Sequence, residues 1–496
     1  MTTPHSLFAT PRQDFVAGIV VFLVALPLCL GIAIASGVPP VSGLVAGIVG
    51  GLVVPLVSRA PLSVCGPAAG LTSIVLLEVS KLGGLPLFLT AVMLAGAMQF
   101  VMGVVRAGRL SSLVPSSVIK GMLAAIGITI VTKQLPVALG VDAPLLELHT
   151  KSPHAGSLLL TAISLVILYT WKKTPFGKIA FLSPALIVVV LASVLAALLD
   201  GNATFGLAAK AYVDVPLGGL TSLADSVPRP DFGGFLRTDV WIAAATIAVV
   251  ASIETLLSLQ AVDRLDPLRR HSPPDRELLA QGLGNAASGF LGGLPITSVI
   301  VRSGANVAAG GRGRLSAIVH GVLLFVAVVF AASLLNRIPL AALAAVLIQV
   351  GLNLCKPALF TSQIKLGINQ LVPFVVTIAA VMATDLLKGV VIGILVGIAF
   401  VLRQNAQDAV VVSTDPDGAL RFRFRRDATF ITKPQLLSAL DDVADGSRVV
   451  IDATGEYVDQ DVKEALALFI DDGKHRGVHV ELVGIDLGGA SAGGGH

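Results

Sequence analysis

Apolar runs about as long as a bilayer is thick recur along this chain. The clearest are Val16–Ala35, Leu85–Val105, Phe181–Leu199, Val240–Leu259 and Leu315–Leu335, with a shorter one at Gly389–Leu402. Crossing the hydrocarbon layer takes about 20 such residues. With no water there, each backbone N–H and C=O must bond within its own segment, which for these runs means helices. The predicted fold is therefore an all-α polytopic membrane protein. Only 13% of the 496 residues are charged, against about a quarter in soluble domains. The net charge of +4 is dispersed between the apolar runs, which excludes a nucleic-acid surface. Cys29, Cys65 and Cys355 form neither a disulfide framework nor a CxxC site. His5, His149, His154 and His320 share no spacing and have no supporting acids. No nucleophile elbow, P-loop or HExxH motif is present, which argues against an enzyme or an ATP-driven pump.

The apolar runs stop near Arg403. Beyond it, Phe422 with Phe424, Val449–Ile451 and Val478–Val483 read as strands, and Asp461–Phe469 as an amphipathic helix. That alternation predicts a small α/β domain. The expected organisation is a transmembrane transport domain at 1–407, an α/β domain at 408–487 and a flexible Gly/Ala/Ser-rich tail at 488–496. The membrane part divides around the polar stretch Asp200–Asp239 into halves at about 14–200 and 239–407, the layout of an inverted repeat. Arg106, Lys172, Arg264, Arg270, Arg312 and Lys356 fall mostly in gaps on the side shared by the two termini. By the positive-inside rule that side is cytoplasmic, in a bacterial-type inner membrane, and the number of spans is even. The opposite loops include Val141–Ala155. Arg12 and Asp14 precede a long first run, and no cleaved signal pattern is visible.

Two short segments interrupt this pattern. One runs Ser63-Val64-Cys65-Gly66-Pro67-Ala68-Ala69-Gly70-Leu71-Thr72-Ser73; the other runs from Pro295 to Asn306 through Thr297, Ser298, Arg302 and Ser303. Each sets turn- or β-prone residues before a helical stretch too short to span alone. Irregular backbone at depth survives only where protein or a watery cavity satisfies it, and paired interruptions point to a transporter's binding site. Half-helix N-termini there would suit an anion. Pro67 fits a first helical turn, and Gly66 and Gly70 permit close backbone approach. Ala68 and Ala69 leave space beside the helix start. Arg302 can face a bound anion, offset an acid or lie in a loop. Glu254 is the acid: a carboxylate inside an apolar run costs roughly 2.5–3.5 kcal/mol on insertion scales and needs a partner, a cavity or a proton. Ser258, four residues on, shares its helix face, so the pair can offer a carboxylate and a hydroxyl to one cation. Asp263, Asp266, Asp275 and Glu277, set among basic residues, read as a solvated loop, with Gln281 and Asn285 as helix-packing polar residues.

In this order the residues resemble the sulfate permease (SulP) anion transporters with their C-terminal STAS domain. The resemblance is carried by Leu26-Pro27 through Ala35-Ser36-Gly37-Val38-Pro39-Pro40, by Gly66-Pro67-Ala68-Ala69, by Glu277 through Asn285, and by Arg302-Ser303-Gly304-Ala305-Asn306. It implies fourteen spans in two inverted seven-span repeats, a core domain moving against a gate domain, and an anion site between two half-helices. The positions that match the family's site residues are Ala68, Ala69, Glu254, Ser258, Arg302 and Ser303. Ser252 through Ser258 looks like the coupling-ion segment of bicarbonate-transporting members, with Glu and Ser where those carry Asp and Thr. The tail resembles STAS at Val450–Thr454 but lacks a phosphorylatable Ser at Val458–Asp461. The expected function is secondary active transport of a small inorganic anion, bicarbonate ahead of sulfate, driven by a sodium or proton gradient. The expected substrate contacts are Gly66, Pro67, Ala68, Ala69, Arg302 and Ser303, with Glu254 and Ser258 for the coupling ion, which is the one site where sodium could sit. No cofactor is expected; the partners are the anion, membrane lipid and a second copy of the chain. The alternatives are an uncoupled exchanger or channel, a dicarboxylate transporter, and a regulatory protein acting through its STAS-like domain.

Overall fold

Proline and glycine punctuate the helices. Pro11, Pro40, Pro184 and Pro274 stand in first turns, where the missing N–H is unpaired in any case. Gly83 and Gly140 end other helices with φ of 86° and 67°, a left-handed conformation that a Cβ would strain. The computed structural model describes residues 10–108, 115–141, 152–175, 183–217, 219–384, 386–407, 410–425 and 427–487. His5, His149, most of the expected loop Val141–Ala155 and the expected tail 488–496 lie outside the described residues.

The first part of the chain holds α1 (Pro11–Ala35), α2 (Pro40–Leu52), α3 (Val54–Val57), β1 (Cys65–Pro67), α4 (Thr72–Leu82), α5 (Leu85–Val104), α6 (Ser116–Leu139), α7 (Ala155–Thr170) and α8 (Pro184–Leu198). After α9 (Gly219–Ser226) come α10 (Thr238–Leu265), α11 (Pro274–Phe290), β2 (Ile296–Ser298), α12 (Ile300–Ala308), α13 (Leu315–Phe330) and α14 (Ala332–Leu335). Then follow α15 (Leu340–Leu354), α16 (Pro357–Lys365), α17 (Ile368–Ala383) and α18 (Leu386–Gln407). Among the described residues, six helical stretches are long and apolar enough to cross a membrane: α1, α2 with α3, α5, α6, α10, and α15 with α16. The expected run Leu315–Leu335 is not one helix. It breaks at Ala331, whose φ of −120° leaves the helical range, at a place no Gly or Pro marks.

Helices from before residue 200 pack against helices from after residue 239. α5 lies along α11 and α10, α1 along α13, and α6 along α15; within the first part α1 also packs on α2 and α6 on α7. Glycines let α5 and α11 touch backbone to backbone: a Cβ at Gly103 would stand 2.8 Å from the Leu279 nitrogen, and one at Gly289 2.7 Å from the Leu89 oxygen. Small residues at such contacts are how helices pack closely without a hydrophobic drive between them.

The chain divides into two compact units, Met1–Lys365 with Phe374–Gly393, and Leu366–Pro373 with Ile394–His496. The second unit holds a four-stranded sheet in the order β3 (Val410–Thr414), β4 (Leu420–Phe424), β5 (Arg448–Asp452), β6 (His479–Val483). The first pair is antiparallel and the others are parallel. Phe422, Phe424, Val449 and Ile451 form its core with Leu436 and Leu440 of α19 (Lys433–Asp441) and Val462 and Leu466 of α20 (Gln460–His475). Every strand and helix expected in this region is present. Asp459 caps α20 by accepting the Val462 N–H at 2.9 Å. At the end of β5, the hydroxyl and N–H of Thr454 hold the Asp452 carboxyl below its ordinary pKa.

Candidate functional site

The two interrupted segments meet. β1 and β2 pair antiparallel, with Cys65 opposite Ser298, Gly66 opposite Thr297 and Pro67 opposite Ile296. Three residues each is little sheet for strands inside a membrane unit, so side chains supply the remaining partners. Asn285 of α11 behaves as a third strand: its Oδ1 accepts the Ile296 N–H at 2.7 Å and its Nδ2 donates to the Ile296 carbonyl at 3.0 Å. Gln99 of α5 accepts from the same Nδ2 at 2.7 Å and donates to Ser252 of α10 at 3.1 Å. Thr255 accepts the Ser298 N–H at 3.2 Å. The polar residues of α11 are therefore what hold the irregular backbone.

Glu277 corrects the sequence expectation of a solvated loop. It is buried in the first turn of α11, bonded to the Ser58 hydroxyl and to Gln281 Nε2 at 3.1 Å. A helix N-terminus favours a carboxylate, and the hydroxyl and amide donors complete its shell. Asp266 is likewise buried, paired with Arg270 at 2.7 Å.

Beyond β1 the chain turns through a short 3-10 helix, Ala69–Leu71, into α4; beyond β2 it enters α12 after Val299. Arg302 is on the first turn of α12, wholly buried. Its Nη2 donates to the Pro67 carbonyl at 3.3 Å, while Nε and Nη1 have no hydrogen-bond partner. A Cβ on Gly66 would collide with Nη1, so glycine makes room for the guanidinium. Gly70 plays the matching part for Glu254: a Cβ there would stand 2.7 Å from Oε1. Glu254 Oε2 is buried without a hydrogen-bond partner. The two charges form no ion pair; one sits at Gly66 and Pro67, the other at Gly70. Burying a charge with unmet donors or acceptors costs several kcal/mol, so both groups are arranged for a further partner.

Ser258 is buried one helical turn from Glu254. Ser303 is committed to the fold: its hydroxyl accepts the Val64 N–H and donates to the Val299 carbonyl, each at 2.9 Å. Ala68 is buried, whereas Ala69 borders a gap of about 10 Å³ with Thr72, Ser73, Thr129, Lys133 and Gln134, room for about one water. The gap shares Ser73, Thr129 and Lys133 with a cavity of about 470 Å³ between α4, α6 and α17, which Gly70 also lines. Sequence reasoning missed Lys133. The signal was available: α6 carries Lys120 in its first turns and Lys133 well inside the apolar stretch, where an ammonium is costly. Among the described residues Lys133 has neither an ion-pair nor a hydrogen-bond partner. His320 of α13, set aside in the sequence for want of a common spacing or supporting acids, is buried with both ring nitrogens unpartnered. Among the described residues no cluster of three or more His, Cys, Asp or Glu could hold a metal ion.

The family model for the sulfate permease family matches residues 12–377. The "Putative sulfate transporter YbaR" of Bacillus subtilis is 28% identical over 493 residues, covering 98% of this chain and 97% of its own. The bicarbonate transporter BicA of Picosynechococcus is 28% identical over 365 residues, 70% of this chain and 62% of that protein. Among solved structures, the transmembrane domain of a cyanobacterial BicA superposes with a TM-score of 0.67 at 25% identity, covering 78% of this chain and 98% of that one. The murine anion transporter Slc26a9 in its inward-facing state gives 0.78 over 97% of this chain and 86% of its own; at 18% identity it speaks for the fold alone. The chain thus belongs to the sulfate permease family of anion transporters.

Proposed function

We propose that the chain is a secondary active transporter of a small inorganic anion, bicarbonate ahead of sulfate, working by alternating access as a homodimer with both termini cytoplasmic. The observation that carries this reading is the buried Arg302 guanidinium with two unpartnered nitrogens beside the paired half-helix segments. In such surroundings an anion is attracted far more strongly than in water. In this reading the small residues Gly66, Ala68 and Ala69 leave the backbone open to the anion, and Lys133, which lines the gap beside Ala69, adds a second cation nearby. Ser303 acts by fixing the strand pair rather than by touching substrate.

Glu254 carries the coupling. Its free Oε2 accepts a proton without further ligands, whereas a sodium ion would need Ser258 and several more oxygens around it. Proton coupling is therefore the favoured form and sodium coupling the other. The C-terminal α/β unit, read as a STAS-like domain, supports or regulates the dimer.

The test is uptake into proteoliposomes carrying the full chain, with imposed proton or sodium gradients and a panel of bicarbonate, sulfate, chloride and a dicarboxylate. The expected result is concentrative bicarbonate uptake that collapses with the driving gradient. Equal fluxes with and without any cation gradient would make the protein an exchanger or channel. No anion flux at all would leave a regulatory role.

A further inference from the structure

The polar ends of four membrane helices converge on a second cavity, away from the β1–β2 site. It measures about 390 Å³ and is lined by Arg12 and Val16 of α1, Asp266, Leu268 and Arg270 of the α10–α11 loop, and Gly311 with Arg312 of the α12–α13 turn. Its walls are built. Asp14 is wholly buried and its Oδ1 accepts the N–H groups of Arg312 and Gly313, each at 2.8 Å. Arg270 pairs with Asp266 and donates from Nη1 to the Arg312 carbonyl at 2.9 Å. Both acids are thus spent on the framework.

The other two guanidiniums are not. Among the described residues the side chains of Arg12 and Arg312 have no hydrogen-bond or ion-pair partner. Arg12 stands in the first turn of α1, where the helix dipole disfavours a cation, so its own helix does not explain it. Around this ring the surface is also apolar: Phe15, one turn further into α1, is 53% exposed, and Leu265 and Leu268, where α10 ends, are 49% and 52% exposed. Free cations at the end of an apolar span, above exposed hydrocarbon-facing side chains, match the depth profile of a phospholipid, with phosphate at the interface and acyl chains below it.

We propose that this pocket binds the phosphate-bearing headgroup of an anionic lipid. The phosphate sits between Arg12 and Arg312, and the acyl chains run down past Phe15 and Leu268. Since Arg312 closes the turn after α12, a bound headgroup ties the helix that carries Arg302 to the start of α1. A soluble phosphate has the same recognition chemistry but gains nothing from the apolar rim, and this separates the two sources.

The test uses the full chain in neutral maltoside micelles, titrated with phosphatidylglycerol, with phosphatidylcholine and with inorganic phosphate, and reads bound lipid by native mass spectrometry. The wild type should retain phosphatidylglycerol over phosphatidylcholine, and excess inorganic phosphate should not displace it. The double variant Arg12→Gln/Arg312→Gln should bind roughly thirtyfold more weakly, the loss expected for two basic contacts. Arg264→Gln removes an exposed charge outside the pocket and should bind as the wild type does. Equal binding by the double variant, an equal loss in Arg264→Gln, or displacement by inorganic phosphate would each overturn the proposal. If the double variant elutes as aggregate, Arg12→Gln alone decides, because that side chain has no partner in the fold: roughly fivefold weaker binding sustains the site and unchanged binding overturns it.

Discussion

The two interrupted segments pair strand to strand and are chemically opposite. The first, Cys65 to Thr72, has lost its side chains where they would matter: Gly66, Ala68, Ala69 and Gly70. The second, Ile296 to Ala308, carries Arg302, the largest of the fully buried side chains. The first supplies room for two charges: Gly66 for Arg302 of the second segment and Gly70 for Glu254 of α10. On the proposed reading, binding and coupling are divided between the two glycines of one GPAAG sequence.

The sharpest way to break that division is to remove the charge. Arg302→Ala should weaken anion binding by about 2–5 kcal/mol, at least roughly thirtyfold, because a cation is taken from beside a desolvated anion. Binding measured in detergent, apart from transport, reads this directly, and an unchanged affinity would place the anion elsewhere. Next in size are the two glycines. Gly66→Ala pushes on Arg302 and should abolish binding and transport together. Gly70→Ala pushes on the Glu254 carboxylate and should abolish gradient-driven accumulation while anion binding persists. Identical phenotypes would end the comparison.

Glu254→Gln tests the same division without steric pressure. It keeps the shape and removes the charge, so concentrative uptake should be lost and anion exchange retained. Accumulation against a gradient by this variant would show the carboxylate to be structural. A smaller effect belongs to Lys133→Gln. Its partly buried ammonium is screened more than the wholly buried Arg302, and solvent-screened ionic contacts are worth up to about 1 kcal/mol. The expected change is a KM for uptake raised a few fold with the maximal rate nearly kept; a lost maximal rate at unchanged KM would instead make Lys133 part of the moving machinery.

The membrane class, the α/β tail and the two interrupted segments were legible because they depend on composition and local pattern. Long apolar runs have one way to satisfy their backbone in lipid, and Gly66-Pro67 has few conformations to choose among. What was not legible came from contacts distant in sequence. Nothing near Glu277 announces that Ser58, 219 residues earlier, will donate to it. Nothing in the α11 pattern tells that Asn285 will complete a sheet rather than pack between helices. Ser303 was expected to touch substrate from its place in a resembling motif; both hydrogen bonds of its hydroxyl go to backbone, which no local pattern announces. Lys133 was overlooked although its signal was local.

The last expected effect is the smallest, and it sets two carboxylates of one helix against each other. Glu254 lies within α10 with an unpartnered oxygen, while Asp266 ends the same helix with every oxygen engaged. Burial alone would raise the Asp266 pKa, but the Arg270 guanidinium and the N–H groups of Leu268 and Arg270 outweigh it and hold the carboxyl below its ordinary value. A carboxyl depressed on folding adds stability that is fully present above its unfolded pKa of about 3.9 and is lost as pH falls through the folded value. The wild type should therefore lose thermal stability between about pH 5 and about pH 3 more steeply than Asp266→Asn, which has no such charge to lose. Above that window the variant should be the less stable of the two, because Arg270 is left without its partner. Melting curves of the full chain in micelles across this range check both signs. Parallel curves for the two proteins would mean that the Arg270 pair contributes nothing beyond what solvent offers, and that the framework around Arg312 is held by Asp14 alone.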